Sequence, residues 1–313
     1  MEDKTKRLIS LVNTSGYEDL NGAVEQALNL IRFGFKRKIK KIAIKPNLCY
    51  YWKSSTGETT DPKVVGAVAD VLRIHYNPDE IYLVESDATA MQTKYAFKML
   101  DYEKLAVEKN LKLINLCEDT LLPLNDDITT SFPQEIKIPK ILTEVDLLVN
   151  VPTLKVHSLT GITCALKNQF GCIPIRRKVI FHKNLSKVIA FINKLITPDL
   201  IIVDGIISTG KTPKRLDLVM AGYDPVAVDT IAAKIAGLNP KRIGHIVESN
   251  NQGVGSMDVE CVGEDWQQFA NKFPRKGFLY RISRKSLMQF YELYLRIFTL
   301  EGRIFKQKPA EGG

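Results

Sequence analysis

Residues 146–171, from Asp146 to Gly171, read DLLVNVPTLKVHSLTGITCALKNQFG. The apolar run from Leu147 to Val151 has an acidic start and is followed by Pro152, which cannot donate to a central ladder. This predicts a short buried strand over 146–151 that stops at Pro152. Thr153, Lys155, His157, Ser158 and Thr160 then read as a loop of donors and titratable groups, and Gly161 as the opening of a helix carrying Lys167, Asn168 and Gln169. Strand, polar loop and helix in that order form the unit of an open α/β sheet, where ligands bind beyond the carboxyl ends of the strands and at helix N-termini. Three cationic or potentially cationic groups among several hydroxyls point to an anionic or strongly polar ligand. The plainer alternative is a solvated connection whose lysines do nothing.

Working outward, the same strand-end chemistry recurs upstream. Lys41 to Lys45 alternates into a buried strand that Pro46 ends, leaving Lys45 and Asn47 at its tip. Ser54 to Asp61, short polar residues around Gly57, reads as a loop over a ligand, and Asp61 with Pro62 forms the N-cap and first-turn pair of a helix to about Arg73. Ile81 to Val84 is a third strand, followed by Glu85, Ser86 and Asp87. Those carboxylates bind a metal or orient a lysine, or else they only cap the helical segment that runs to Leu100.

Further strands are predicted at Leu8 to Val12, Leu111 to Leu116, Leu200 to Val203 and Arg215 to Met220, and helices at Asp19 to Phe35, Ser186 to Leu195 and Asp224 to Ala236. Glu118 to Pro139, with three prolines, is a turn-rich excursion or short hairpin. Asp229 lies on a helix face of small apolar residues and needs a partner from elsewhere, a lysine for choice. The order of elements predicts an α/β fold with a mostly parallel, doubly wound (Rossmann-like) sheet, an irregular insertion and a helical C-terminal tail. The domains are drawn as 1–263 and 264–313.

The chain has 313 residues, 45% of them hydrophobic and 25% charged, enough for a proper core. The apolar run near the start is too short for a secretory signal or a membrane span, so a cytoplasmic protein is expected. Five scattered cysteines without a C-x-x-C pair argue against a disulfide framework. The net charge of +9 is concentrated between Lys272 and Lys308, where ten basic residues face two acidic ones, a balance of +8. No general cationic field wraps the body, and sequence-specific nucleic-acid binding is not expected.

Two motifs invite a misreading. Gly205 to Thr212, GIISTGKT, satisfies the P-loop pattern after an apolar strand. A phosphate cradle needs a helix starting at the lysine, but Pro213 follows and Arg215 to Met220 alternates like a strand, so Lys211 is left as a simple anion contact. His157, Cys164, Cys172 and His182 form a chemically sound zinc set, but their spacing fits no closed module. Cys164 then reads as a core residue, Cys172 as a loop thiol and His182 as surface; no metal and no cofactor is assigned.

A family resemblance rests on AIKPNL at Ala43 to Leu48, GETTDPKVV at Gly57 to Val65, VNVPTLKVHSLTGITCALKNQFG at Val149 to Gly171, IIVDGI at Ile201 to Ile206 and AGYDPVAVDTIAAKIAGL at Ala221 to Leu238. Together these resemble the domain of unknown function 362 family. The resemblance implies a cytoplasmic α/β protein without a settled activity, in a family many of whose members carry ferredoxin-type iron–sulfur modules. The C-x-x-C-x-x-C pattern of such a module is missing from this chain, and STGKTPKR is shorter than the glycine-rich loop usual after IIVDGI.

The expected site is therefore built from strand ends. Lys45, Lys155, Lys167 and Lys211 hold phosphate or carboxylate groups, Asn47, Ser158 and Asn168 fix orientation, and His157, Lys155, Asp87 or Asp204 takes part in the chemistry. Such a site suits an enzyme acting on a small anionic metabolite or cofactor precursor. The alternative is a non-catalytic carrier or assembly protein for an iron–sulfur or other metal cofactor, and nucleotide hydrolysis is the third reading. In the tail, Phe278, Leu279, Ile282, Leu287, Phe290, Tyr291 and Tyr294 recur at helical spacing among basic residues. Residues 276–308 are expected to pack on the body, to lie on an anionic membrane surface, or to dock a protein.

Overall fold

The computed structural model describes residues 7–124 and 136–275. The strands are β1 (Leu8–Asn13), β2 (Lys41–Pro46), β3 (Glu80–Glu85), β4 (Lys112–Asn115), β5 (Leu121–Leu122), β6 (Ile138–Pro139), β7 (Leu147–Val151), β8 (Thr153–His157), β9 (Gly161–Thr163), β10 (Leu200–Thr209), β11 (Pro213–Gly222) and β12 (Glu260–Gly263). The main sheet runs β12-β1-β11-β10-β7-β2-β3-β4, with β8 added to β10 and β9 to β8. From β10 to β4 all neighbours are parallel, while β11 is antiparallel to both β10 and β1. This is an α/β fold around a mostly parallel mixed sheet.

The sheet is buried on both faces because its central strands are apolar at consecutive positions. In β10, Ile201 and Val203 enter one core while Leu200 and Ile202 enter the other; in β7, Leu148 faces the first and Leu147, Val149 and Val151 the second. Helices Leu20–Leu30 and Pro62–Tyr76 cover the second core, and Leu185–Leu195 and Pro225–Ile235 the first. The expected caps form: Asp61 accepts from the Lys63 amide at 2.9 Å, and Asp224 accepts from Val226 at 2.7 Å and Ala227 at 3.1 Å. The excursion after Glu118 contributes the short antiparallel pair of β5 with β6.

The chain passes from β2 outward to β3 and β4, then returns to the other side of β2 to lay down β7 and β10. The winding therefore reverses between β2 and β7, and the crevice beyond their carboxyl ends is the topological switch point. Lys45 and Asn150 face each other in register there.

The stretch after Pro152 differs from expectation. It is not a loop, and Gly161 does not open a helix: β8 and β9 form an antiparallel hairpin, with Lys155 opposite Thr163 and His157 opposite Gly161, and the helix begins only at Ala165. Pro152 ends pairing with β2 but not the extended backbone. Its carbonyl accepts from the Asp204 amide at 2.8 Å, and the chain continues as β8 alongside β10. A proline lacks only the donor, so the strand changes partner instead of stopping.

The compact unit that holds the sheet extends to Arg275, beyond the boundary at 263: Phe269 and Phe273 of the last described segment are core residues. The expected basic tail from Lys276 onward lies outside the described residues.

Candidate functional site

The β2 end carries a closed network. Lys45 is fully buried, and its Nζ donates to Glu85 Oε2 at 2.9 Å, to the Pro46 carbonyl at 3.1 Å and to Asn168 Oδ1 at 3.4 Å. Asn168 Nδ2 in turn donates to Asn150 Oδ1 at 2.7 Å and to the Lys45 carbonyl at 3.2 Å, and Asn150 donates to the Ala165 carbonyl at 2.9 Å. Glu85 also accepts from the amides of Leu48 at 3.3 Å and Ser86 at 2.9 Å. A buried ion pair persists when its remaining lone pairs are satisfied in this way. Gly171 makes the closure possible, since a Cβ there would lie 2.7 Å from Lys45 Nζ and 3.0 Å from Glu85 Oε1.

Beside it, Lys178 donates to Ser86 Oγ at 2.8 Å and to the Asp87 carbonyl. Burial lowers the Lys178 pKa to about 8, against the pull of Glu85. Ser86 with Lys178 resembles a nucleophile with its base. However, the serine hydroxyl donates to the Gly171 carbonyl and is only 2% exposed, so the pair seals the network. Asp87 accepts from the Thr93 amide at 2.8 Å and from Asn115 Nδ2 at 3.3 Å, which is the capping role that the sequence left open.

A second cluster lies around Lys155. Lys155 on β8 is 3% exposed, and its Nζ donates to the Glu58 carbonyl and pairs with Glu58 Oε2 at 3.2 Å. Glu58 reaches it because Gly57 has φ +68 and would bring a Cβ to 3.0 Å from the backbone of Ile207 to Thr209, so the loop packs directly onto β10. The Cys49 thiol lies near Lys155, and burial raises its pKa.

Lys167 completes this cluster from the helix Ala165–Gln169. It is closely surrounded yet half-buried rather than sealed. Desolvation first, then the charge of Lys155, lowers its pKa to about 8, with Cys49 and Glu58 opposing. Burial and the Lys167 charge bring His182 down to about 4, so it is neutral at physiological pH; it is half-buried, not the surface residue expected.

The remaining expected site residues are held in other ways. Asn47 accepts from Thr153 Oγ1 at 2.9 Å, tying the β2 end to β8. His157 Nδ1 accepts from the amides of Leu159 at 3.2 Å and Thr160 at 3.4 Å, which closes the hairpin turn that also holds Ser158. Asp204 is buried beside Thr153 and accepts from the amides of Asp61 at 2.8 Å and Ile206 at 3.1 Å; burial outweighs these bonds and raises its carboxyl to about 7. Lys211 is exposed in the β10–β11 turn, and its amide donates to the Pro274 carbonyl at 2.9 Å. The GIISTGKT stretch is thus strand and hairpin turn, with no helix to cradle a phosphate.

Asp229 does not meet a lysine. Its carboxylate accepts from the amides of Ala165 at 2.7 Å and Leu166 at 3.3 Å and lies 3.6 Å from His245 Nε2, so helix amides take the place of the expected cation. Cys164 sits against Asp229, whereas Cys172 is buried near Lys45 and Glu85, as a small core thiol rather than a loop residue. Among the described residues, no group of three or more His, Cys, Asp or Glu is placed to hold a metal ion.

Glu58, Glu85, Asn150 and Lys178 were not assigned to the site from sequence. Glu58 lies within the GETTDP motif, and Glu85 was read as a strand-end carboxylate able to orient a lysine. Nothing in the sequence marks Lys178.

Comparison with known proteins adds three findings. A thylakoid-associated protein of Synechocystis is 26% identical over an alignment that covers 51% of this chain and 57% of that protein, so the chain spans little more than half of this relative. The lactate racemase apoprotein of Thermoanaerobacterium thermosaccharolyticum aligns with a TM-score of 0.44 at 12% identity, covering 76% of this chain and 59% of that one. Among the described residues, no helix is long and apolar enough to cross a membrane. The domain of unknown function DUF362 matches residues 42–234, over half of the chain and from within β2 to within the helix Pro225–Ile235, and the protein therefore belongs to the DUF362 family.

Proposed function

We propose that the protein is an enzyme that binds a small anionic metabolite or cofactor precursor, through a carboxylate or phosphate, at the carboxyl ends of β2 and β7. The observation that carries this reading is Lys167. Lys45 has Glu85 and Lys155 has Glu58, but Lys167 makes no side-chain hydrogen bond or ion pair among the described residues, and it stands next to a second cation. An ammonium held there without a counter-ion is favoured once an anion supplies the missing charge. Lys155, once released in part from Glu58, would share that anion, and neutral His182 would move a proton.

A thermal-shift panel of small carboxylates and phosphates tests the reading. Anions should raise the melting temperature of the parent and leave that of Lys167→Met unmoved; equal shifts in both would sink it. Protein purified without air that is coloured and holds stoichiometric iron would instead favour the carrier reading, which no donor set among the described residues supports. The relative's thylakoid association supports a surface role for the basic residues 276–308, which salt-sensitive liposome binding lost on truncation at Lys276 would test.

A further inference from the structure

We propose that an exposed face of tyrosine, tryptophan and lysine at the crevice end of the sheet docks on an anionic lipid bilayer. Two segments build it, the loop that leaves β2 and the helix Thr93–Met99 that follows β3. β2 and β3 are parallel neighbours, so both segments start from the carboxyl end of the sheet. The face belongs to the described body, and the inference needs neither Lys167 nor residues 276–308.

The loop holds its rings out to solvent. The amide of Trp52 donates to the Cys49 carbonyl at 3.4 Å, which closes a turn, and Tyr50 within that turn has φ +53, a left-handed backbone that bulky residues rarely take. Tyr51 is half-buried, and its hydroxyl accepts from the Gln92 amide at 3.0 Å, one residue before the helix. That bond ties the loop to the helix start. The rings on either side of Tyr51 stay out: Tyr50 is 44% and Trp52 50% exposed, with centroids 5.2 Å apart.

The helix continues the same chemistry. Thr93, Ala96, Phe97 and Leu100 are buried, which leaves Lys94, Tyr95, Lys98 and Met99 on the outer side. Tyr95 and Met99 are one turn apart and 49% and 56% exposed, and Lys94 and Lys98 repeat that spacing beside them. Lys94 Nζ lies 4.9 Å from the centroid of the Tyr95 ring.

Charge selects the occupant. Residues 47–57 and 88–100 hold Lys53, Lys94 and Lys98 and no carboxylate. Of the flanking acids, Glu58 is turned to Lys155 and Asp87 to the Thr93 amide, while Asp101 lies beyond the buried Leu100. Tyrosine and tryptophan settle at the headgroup level of a bilayer, with the ring in the apolar zone and the polar tip wet. Lysine stems run along the apolar surface there and keep their ammonium groups among the lipid phosphates. Protein interfaces also favour tyrosine, tryptophan and methionine, but they take arginine and are depleted in lysine. All three cations here are lysines.

Tryptophan emission tests this on the full chain. Its two tryptophans are Trp52 and Trp266, and residues 276–308 hold none, so Trp52 reports on this face alone. The chain is titrated with vesicles of phosphatidylcholine mixed with phosphatidylglycerol, and with phosphatidylcholine alone, both with brominated acyl chains that quench an inserted indole. The mixed vesicles should shift the emission to the blue and quench it, and phosphatidylcholine alone should act at least about tenfold more weakly. Trp52→Phe should abolish the quench. Lys53→Gln, Lys94→Gln and Lys98→Gln should each raise the lipid concentration at half quench by about fivefold.

A quench that survives Trp52→Phe, or a chain that sediments with the mixed vesicles unquenched, would place the contact on another surface and overturn the proposal. Equal quenching by both vesicle types, or none by either, overturns it as well. A blue shift that grows with protein concentration without lipid, and no quench with it, would make the face a protein interface instead.

Discussion

Lys45 and Lys167 come from the same crevice and teach opposite lessons. Lys45 has a carboxylate at 2.9 Å and two further acceptors, all inside the fold. Lys167 has none of these among the described residues, and its neighbour Lys155 repels it. The first lysine is part of what holds β2, β3 and the helix Ala165–Gln169 together. The second is desolvated and has no such partner among the described residues. Polar residues at a strand end are therefore not equivalent: their partners, more than their types, separate structure from site.

The comparison breaks most visibly if the Lys45 pair is opened. Glu85→Ala leaves a buried ammonium without its counter-ion and should destabilise the protein by about 3–5 kcal/mol in urea unfolding. A loss below about 1 kcal/mol would mean that the network is not structural.

The opposite substitution sharpens it. Lys167→Met removes a charge that folding depresses, so at neutral pH the variant should be at least as stable as its parent. The Lys167 pKa is about 8 in the folded chain and near 10.5 when unfolded. Below about 8 the parent bears the full penalty of the desolvated charge, and as pH rises toward 10.5 that penalty disappears. The variant's advantage should shrink across that window, and an advantage that does not change with pH would contradict the assignment.

Asp204 supplies the acidic counterpart, a buried carboxyl whose charge two backbone amides partly support. Its folded pKa of about 7 lies above the ordinary 3.8, so the stability it contributes is fully present below about 4 and is lost as pH rises through about 7. The stability difference between Asp204→Asn and its parent should move in the variant's favour over that range; a flat difference would show that the carboxyl titrates normally. Lys211→Ala is the mildest case: an exposed turn residue, its loss should change stability by less than about 0.5 kcal/mol and leave magnesium–nucleotide binding as it was.

Much of the frame was legible in local pattern. The strand at Lys41 and the helices after Asp61 and Asp224 follow from apolar period and capping chemistry, which act over a few residues. The stretch after Pro152 was misread because proline marks the loss of one donor and not the end of extended backbone, and the partner that accepts the continued strand is β10, fifty residues away in order of magnitude. Residue type and position after a predicted strand mark Lys155 and Lys167 as site candidates, but the burial of Lys155 under the loop at Gly57 is not readable from its own surroundings in the chain.

The sequence by itself determined the α/β class and the helix starts at Asp61 and Asp224, and it showed lysines and amides following predicted strands, because periodicity, capping and side-chain type are local properties. Only the tertiary structure decided which of those lysines meets a carboxylate among the described residues. Glu85 lies forty positions from Lys45 and Glu58 lies 97 from Lys155, and ion pairs across such separations exist only once the sheet has set the distance. Charge, burial and the lack of a partner among the described residues meet at Lys167 through that packing, and no reading of its neighbours in the chain could have singled it out.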